Sequence, residues 1–256
     1  MEEALPGGNM NDVIRAGNTV RRPAGPWTAT VHKVLDGLRR AGIEWVPRPH
    51  GIDEAGREIL DYVEGVVPSY PLPEWVWEDS FLEAAGGRLR ELHDATADLT
   101  IVDAVWQVSG HEPVEVICHN DFAPYNFVCR DGRFAGVIDW DAMSPGPRIW
   151  DVAYLAYRLC PLAAPTNPDG RPGDNPSEQG RRLGLLLSSY RGEFTAGDTL
   201  SMAVARLEDL GRFTADRAES EGRPDLAGHV SLYRNDIGYL NAVGQSILSS
   251  RAGADA

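Results

Sequence analysis

His119-Asn120-Asp121-Phe122-Ala123-Pro124-Tyr125-Asn126, with Val137-Ile138-Asp139-Trp140-Asp141 a short hairpin later, is the passage on which the reading of this chain turns. Asp131-Gly132 is a two-residue turn signal between the apolar runs Phe127-Val128-Cys129 and 134–138. The two runs are therefore expected to pair as an antiparallel hairpin. With residue 130 opposite 133, Asn126 falls opposite Val137, and Asp139 lies two positions further, roughly 7 Å along the strand. An amide oxygen and a carboxylate can then converge on one ion, with Asp121 in the loop that feeds the hairpin. Phosphoryl transfer needs such groups: a carboxylate that orients and deprotonates a hydroxyl, and oxygens that hold Mg²⁺ against a triphosphate.

The passage resembles the catalytic segment of the aminoglycoside phosphotransferase and choline kinase family, relatives of the protein kinases. Its His-x-Asp-x-x-x-x-Asn and Ile-Asp-Trp elements stand in register, and Asp151-Val152-Ala153 matches the Asp-Leu-Ala that follows in the family. The resemblance implies an α+β, protein-kinase-like two-lobe fold. A small β-rich N-terminal lobe would occupy residues 1–65 and a larger, mostly helical C-terminal lobe residues 66–256. It implies Asp121 as catalytic base and Asn126 and Asp139 as Mg²⁺ ligands. His119 would prop the loop by hydrogen bonds and transfer no proton. The donor would be ATP or GTP, and the acceptor a small hydroxylated molecule, cationic ones included.

Upstream, 12–16 and 18–22 read as a hairpin about Gly17. A helix follows from near Pro26, a favoured first-turn residue, to Arg40, and two further strands at 46–52 and 57–63. By the resemblance, a basic residue on Thr19-Val20-Arg21-Arg22-Pro23 would hold the α- and β-phosphates. Strand alternation lets only one of the two arginines face the nucleotide, and Arg21 is the choice. Tyr62 and Val63 would form the hinge that meets the nucleobase. Gly7 and Gly8 would make the turn that covers the phosphates, or else belong to an N-terminal tail. The family's partner for the basic residue is a glutamate on the following helix, but no glutamate occurs between Ala24 and Arg40. His32 is the polar residue nearest the expected place.

Composition limits the alternatives. Hydrophobic content of 43% and charged content of 24% are those of an ordinary globular chain. A net charge of −14 argues against a nucleic-acid partner, which would need a basic footprint. The charge is no evident lure for a polycation: residues 1–165 carry a net −11 and residues 166–256 only −3. No run of eighteen apolar residues suggests a membrane span, and Met1-Glu2-Glu3 is unlike a signal peptide. Cys118, Cys129 and Cys160, odd in number, fit buried thiols in a reducing cytoplasm better than disulfides.

Further on, apolar positions 81, 82, 85, 89 and 92 mark a helix over 77–95 that ends in Leu92-His93, with His93 as packing. Helices are expected at 151–159, 178–194, 198–218 and 224–250, and a loop at 163–177, rich in Pro, Gly, Asn and Asp. Asp141 is a second metal contact, a substrate contact or a turn cap, and Asp151 a brace or helix cap. Tyr157, Tyr190, Glu193, Tyr233 and Asp236 are candidates to line an acceptor pocket. Two other functions compete with an active kinase. One is a catalytically degenerate nucleotide-binding or scaffolding protein. The other is a metal-dependent hydrolase using His119, Asp121, Asp139 and Asp141, against which stands the single histidine in that cluster.

Overall fold

The computed structural model describes residues 2–5, 13–171, 173 and 175–251. Gly7 and Gly8 lie outside the described residues. The chain forms two compact units, residues 1–68 with 90–148 and residues 69–89 with 149–256. The first unit therefore takes in residues 119–141 as well as the N-terminal strands.

In the first unit an antiparallel five-stranded sheet has the order β1-β2-β3-β5-β4, with β1 Glu2–Ala4, β2 Ile14–Ala16, β3 Thr19–Pro23, β4 Pro49–Ile52 and β5 Arg57–Asp61. Helix α1, Thr28–Arg40, carries Val31, Val34, Leu35 and Leu38 at helical spacing, and all four are fully buried. It starts two residues after Pro26, where the Thr28 hydroxyl accepts the Gly25 N–H at 2.9 Å. Two short ladders follow, β6 (Val116–Cys118) with β9 (Ser144–Gly146) and β7 (Phe127–Arg130) with β8 (Arg133–Val137).

The hairpin β7–β8 departs from its expected register. Asp131 and Gly132 both have positive φ, 49° and 70°, as a two-residue turn of this kind requires, and Arg130 faces Arg133. Beyond Cys129–Phe134, however, the pairing shifts, and Phe127 faces Val137. Ala135 is the extra residue of a β-bulge. Ile138 therefore donates to the Asn126 carbonyl at 2.9 Å, and Asp139 is one position beyond Asn126's partner instead of two. The sequence signal was Gly136, since a glycine inside a strand often marks a bulge or close approach. A Cβ there would sit 2.8 Å from the Trp45 carbonyl oxygen.

Beneath the loop between β6 and β7 the core is aromatic. Trp45 meets Phe122, Phe134 and Trp140 at centroid distances of 6.4, 5.7 and 6.3 Å, and Phe127 packs on Phe122 at 4.8 Å. All are buried apart from the half-buried Phe134. Such rings fill volume with few rotatable bonds, so they give the loop above them a stiff floor.

The second unit is built from α3 (Arg148–Leu159), α4 (Pro176–Tyr190), α5 (Ala196–Ser220) and α6 (Ala227–Arg251), with the start of α2 (Asp79–Thr96). These helices match the expected segments to within a few residues. Asn175 caps α4 by accepting from Ser177 and Glu178, with Pro176 in the first turn. Thr195 and Asp198 form a reciprocal capping box on α5. Tyr157 and Asp236 are not free to line a pocket. The fully buried Asp236 accepts from the Tyr157 hydroxyl, the Asn167 amide and the Ala164 N–H, each at 2.7 Å. Removing that carboxylate leaves three buried donors unanswered, so Asp236→Ala should destabilise this unit by about 3 kcal/mol. Thermal unfolding of the purified variant measures the loss.

Candidate active site

The loop between β6 and β7 is held by its own side chains. Asn120 adopts positive φ (64°) and sends its amide to the Ala142 carbonyl at 2.7 Å and the Ser144 hydroxyl at 2.8 Å. The fully buried His119 ring lies 4.6 Å from Trp140, and its Nδ1 accepts the Asp121 N–H at 3.2 Å. Through that bond the imidazole props the loop. Asp121 itself is half-buried, and each carboxylate oxygen has a donor: Tyr125 hydroxyl on Oδ1 at 2.5 Å and Asn126 amide on Oδ2 at 2.8 Å. Asn126 donates a second time to the Asp121 carbonyl at 2.9 Å. Both donations fix which end of the amide is oxygen and turn Oδ1 away from Asp121.

A second cluster joins β3, β5 and the chain after β8. Arg22, 10% exposed at its side chain, donates from Nη1 to Asp139 at 3.1 Å and from Nη2 to Asp141 at 2.6 Å. Its Nε donates to Glu58, its direct cross-strand partner, which is 1% exposed. Glu58's other oxygen meets His32 Nε2 at 3.0 Å. Asp139 is held at φ 63° with its side chain 54% exposed. One guanidinium thus faces three carboxylates, which leaves local negative charge beside an open carboxylate. The open Asp139 carboxylate and the Asn126 amide oxygen are hard donors of the kind Mg²⁺ takes, one or two from protein with phosphate and water completing the shell.

The electrostatics follow from burial and these contacts. Burial alone would lower Arg22's pKa, but Asp141, Glu58 and Asp139 outweigh it and hold the guanidinium charged. Burial likewise opposes Glu58's ionisation, yet the hydrogen bond from His32 and the charge of Arg22 carry its pKa below the usual carboxylate value. Asp141 is the exception: burial pushes it up to about 6, with Glu58 and Asp139 adding to the shift and Arg22 and Trp27 opposing it. An aspartate with a folded pKa above its unfolded value near ~3.9 binds its proton more tightly when folded. Its contribution to stability is complete below about pH 4 and is lost as pH rises through about 6. Wild type should therefore lose stability relative to Asp141→Asn across that window, by a few kcal/mol at most. Urea midpoints of both proteins at about pH 4.5 and 7.5 measure it.

Of the nucleotide-side candidates, Arg22, and not Arg21, reaches Asp139. Arg21 points to the other side of β3 and pairs with the exposed Glu2 at 2.9 Å. At the expected hinge, the Tyr62 N–H is bonded to the Asn18 carbonyl at 2.8 Å, and the Arg15 guanidinium lies 3.8 Å from the Tyr62 ring centroid. Val63 packs close to Gly136. Beside it, Gly65 has φ 149°, and a Cβ there would lie 2.5 Å from the Cys129 carbonyl oxygen. Glu58 escaped the sequence reading, although a charged residue two positions before the buried Leu60, on the inward face of β5, was its signal. In the second unit, Tyr190 is fully buried against Phe194, and Tyr233 lines an open groove between α5 and α6.

Comparison with known proteins bears on the same segment. The phosphotransferase enzyme family profile matches residues 60–174. The trifolitoxin immunity protein of Rhizobium leguminosarum bv. trifolii is 37% identical over 151 residues, 56% of this chain and 56% of that protein. The chain thus matches about half the length of that curated relative. A choline/ethanolamine kinase family protein from Mesorhizobium loti has the same fold, with a TM-score of 0.62 and 15% identity over 98% of this chain and 92% of that one. The amicoumacin kinase hAmiN, solved with AMP-PNP, Ca²⁺ and Ami, gives a TM-score of 0.67 at 14% identity over 92% and 87%. Identities this low speak for the fold and leave the substrate open. Residues 60–174 carry the pattern of the phosphotransferase enzyme family, on the protein-kinase-like α+β fold that aminoglycoside phosphotransferases and choline/ethanolamine kinases share.

Proposed function

We propose that this protein is a small-molecule kinase that transfers the γ-phosphoryl group of ATP or GTP to a substrate hydroxyl. The observation that carries the reading is the convergence of Arg22 on Asp139 and Asp141, at the end of the hairpin that begins with Asn126. Asp121 orients the acceptor hydroxyl and takes its proton as transfer proceeds. Tyr125 and Asn126 keep the Asp121 carboxylate in place, and His119 holds the loop. Asn126 and Asp139 hold Mg²⁺, which when bound screens the phosphate charge and aligns the transferring group. Arg22 binds phosphate oxygens, since its planar fork suits them.

Related proteins bear on the acceptor. One relative is named for immunity to trifolitoxin, and one neighbour is an amicoumacin kinase. A small hydroxylated antimicrobial compound is therefore the acceptor class we favour, with the reaction in the cytoplasm, where nucleoside triphosphates are supplied. Among the described residues no helix is long and apolar enough to cross a membrane. The missing helix glutamate and the arginine in place of a lysine motivate the degenerate-scaffold alternative, and Glu58's contact with Arg22 answers the first of these.

The test is a thermal-shift screen of ATP and GTP with Mg²⁺ and a panel of hydroxylated acceptors, followed by phosphate-transfer assays on the positives. Stabilisation by a nucleotide together with Mg²⁺-dependent transfer to an acceptor hydroxyl supports the reading. Nucleotide binding without transfer or hydrolysis would favour the scaffold. Arg22→Ala should weaken Mg-nucleotide binding by about 10- to 100-fold, as expected for losing hydrogen bonds from a charged donor. Arg21→Ala, on the exposed pair with Glu2, should change it by less than about 3-fold. Isothermal titration separates the two.

A further inference from the structure

We propose that Glu58 and His32 position Arg22 for nucleotide phosphates, so that a carboxylate on a strand aims the phosphate-binding cation. The proposal rests on the kinase reading above and names residues that the matched motifs do not contain.

Arg22 has five N–H donors, and three are committed among the described residues: Nε to Glu58, one on Nη1 to Asp139 and one on Nη2 to Asp141. Two N–H groups on the η nitrogens therefore remain for phosphate oxygens. Neutralising Arg22 does not require Glu58, because Asp139 and Asp141 already supply two negative charges. What Glu58 adds is direction. It holds Nε, the one nitrogen that neither aspartate engages, and so fixes the rotation of the guanidinium plane about the side-chain axis. With Nε tied down, Nη1 stays on Asp139 and Nη2 on Asp141.

The geometry makes this hold a stiff one. Arg22 and Glu58 are directly opposite on β3 and β5, so the backbone ladder sets their separation. Glu58 is itself anchored by His32 from α1 at 3.0 Å. The helix thus still contributes to the arrangement, one hydrogen bond further out, through an imidazole. A long, solvated side chain in Glu58's place would leave the guanidinium free to turn. A buried carboxylate with both oxygens engaged does not.

The experiment measures the Kd of Mg-AMP-PNP by isothermal titration for wild type, Glu58→Ala, Glu58→Gln and the double variant Glu58→Ala with His32→Glu, with unfolding temperatures taken without nucleotide. Glu58→Ala should raise Kd by about 10- to 100-fold in protein that is folded. Glu58→Gln keeps a carbonyl oxygen for Nε and should recover most of that loss. The double variant returns a carboxylate to the cluster from the helix side and should recover affinity by about 5-fold or more over Glu58→Ala. A purely structural Glu58 would lower the unfolding temperature and leave the Kd of the folded variants at the wild-type value, and that result overturns the proposal. If Glu58→Ala does not fold, His32→Leu carries the test: Kd should rise about 3-fold or more, and an unchanged Kd counts against the positioning pair. Failure of wild type to bind Mg-AMP-PNP would instead bring down the kinase reading itself, and this proposal with it.

Discussion

Asp121→Asn should abolish phosphoryl transfer while leaving nucleotide affinity within about 3-fold of wild type. A positioned general base contributes about 10²- to 10⁴-fold, and an amide cannot take the proton. The substitution is close to isosteric, and the surrounding hydrogen bonds can be kept. The new carbonyl oxygen can accept from the Asn126 amide in place of Oδ2. The new NH₂ can donate to the Tyr125 oxygen. The loop is held independently by His119 and Asn120, so its shape should persist. A fall in turnover with unchanged nucleotide binding is thus the signature of chemistry lost with the fold intact. Steady-state rates beside titration calorimetry distinguish it from a general loss of structure.

The second large effect is expected of Asp139→Ala. Its carboxylate is half exposed and bonds to Arg22, which keeps Glu58 and Asp141 when Asp139 is removed. The fold should therefore tolerate the change, with the nucleotide-free unfolding temperature near that of wild type. Activity should fall by about 10³-fold, because fixed charge at the transferring phosphoryl group supplies much of the transition-state stabilisation in such reactions. The thermal stabilisation that Mg²⁺ adds to bound ATP should shrink at the same time. Loss of activity without loss of that metal-dependent stabilisation would move Asp139 out of the metal site.

The sequence and the structure agree best where the pattern is local. The apolar spacing of α1 at 31, 34, 35 and 38 and the turn at Asp131-Gly132 determine their elements with little help from distant residues. The same holds for His119, whose place relative to Asp121 is set within three residues of chain. Cross-strand relations are harder to read. One extra residue, Ala135, shifts Asn126 by a position, because a bulge is a tertiary adjustment with only Gly136 to announce it. The choice between Arg21 and Arg22 depends on which face of β3 turns inward, and alternation alone leaves that parity open. Glu58 is hard to find for a related reason: the resemblance points to the helix for the arginine's partner, while the partner sits 36 residues away on an adjacent strand, marked only by its place on the inward face of β5. The acceptor site was the least legible of all, since Tyr157 and Asp236, which look like polar pocket residues in sequence, answer each other in a buried network.

The most direct test of the account uses water as acceptor, so that it does not depend on knowing the natural alcohol. Release of γ-phosphate from saturating ATP by the purified protein is followed with Mg²⁺ and with excess chelator, beside Asp121→Asn. Wild type should release phosphate slowly, with release abolished by the chelator and at least about 10²-fold slower in the variant. Equal, metal-independent rates in wild type and Asp121→Asn would contradict it.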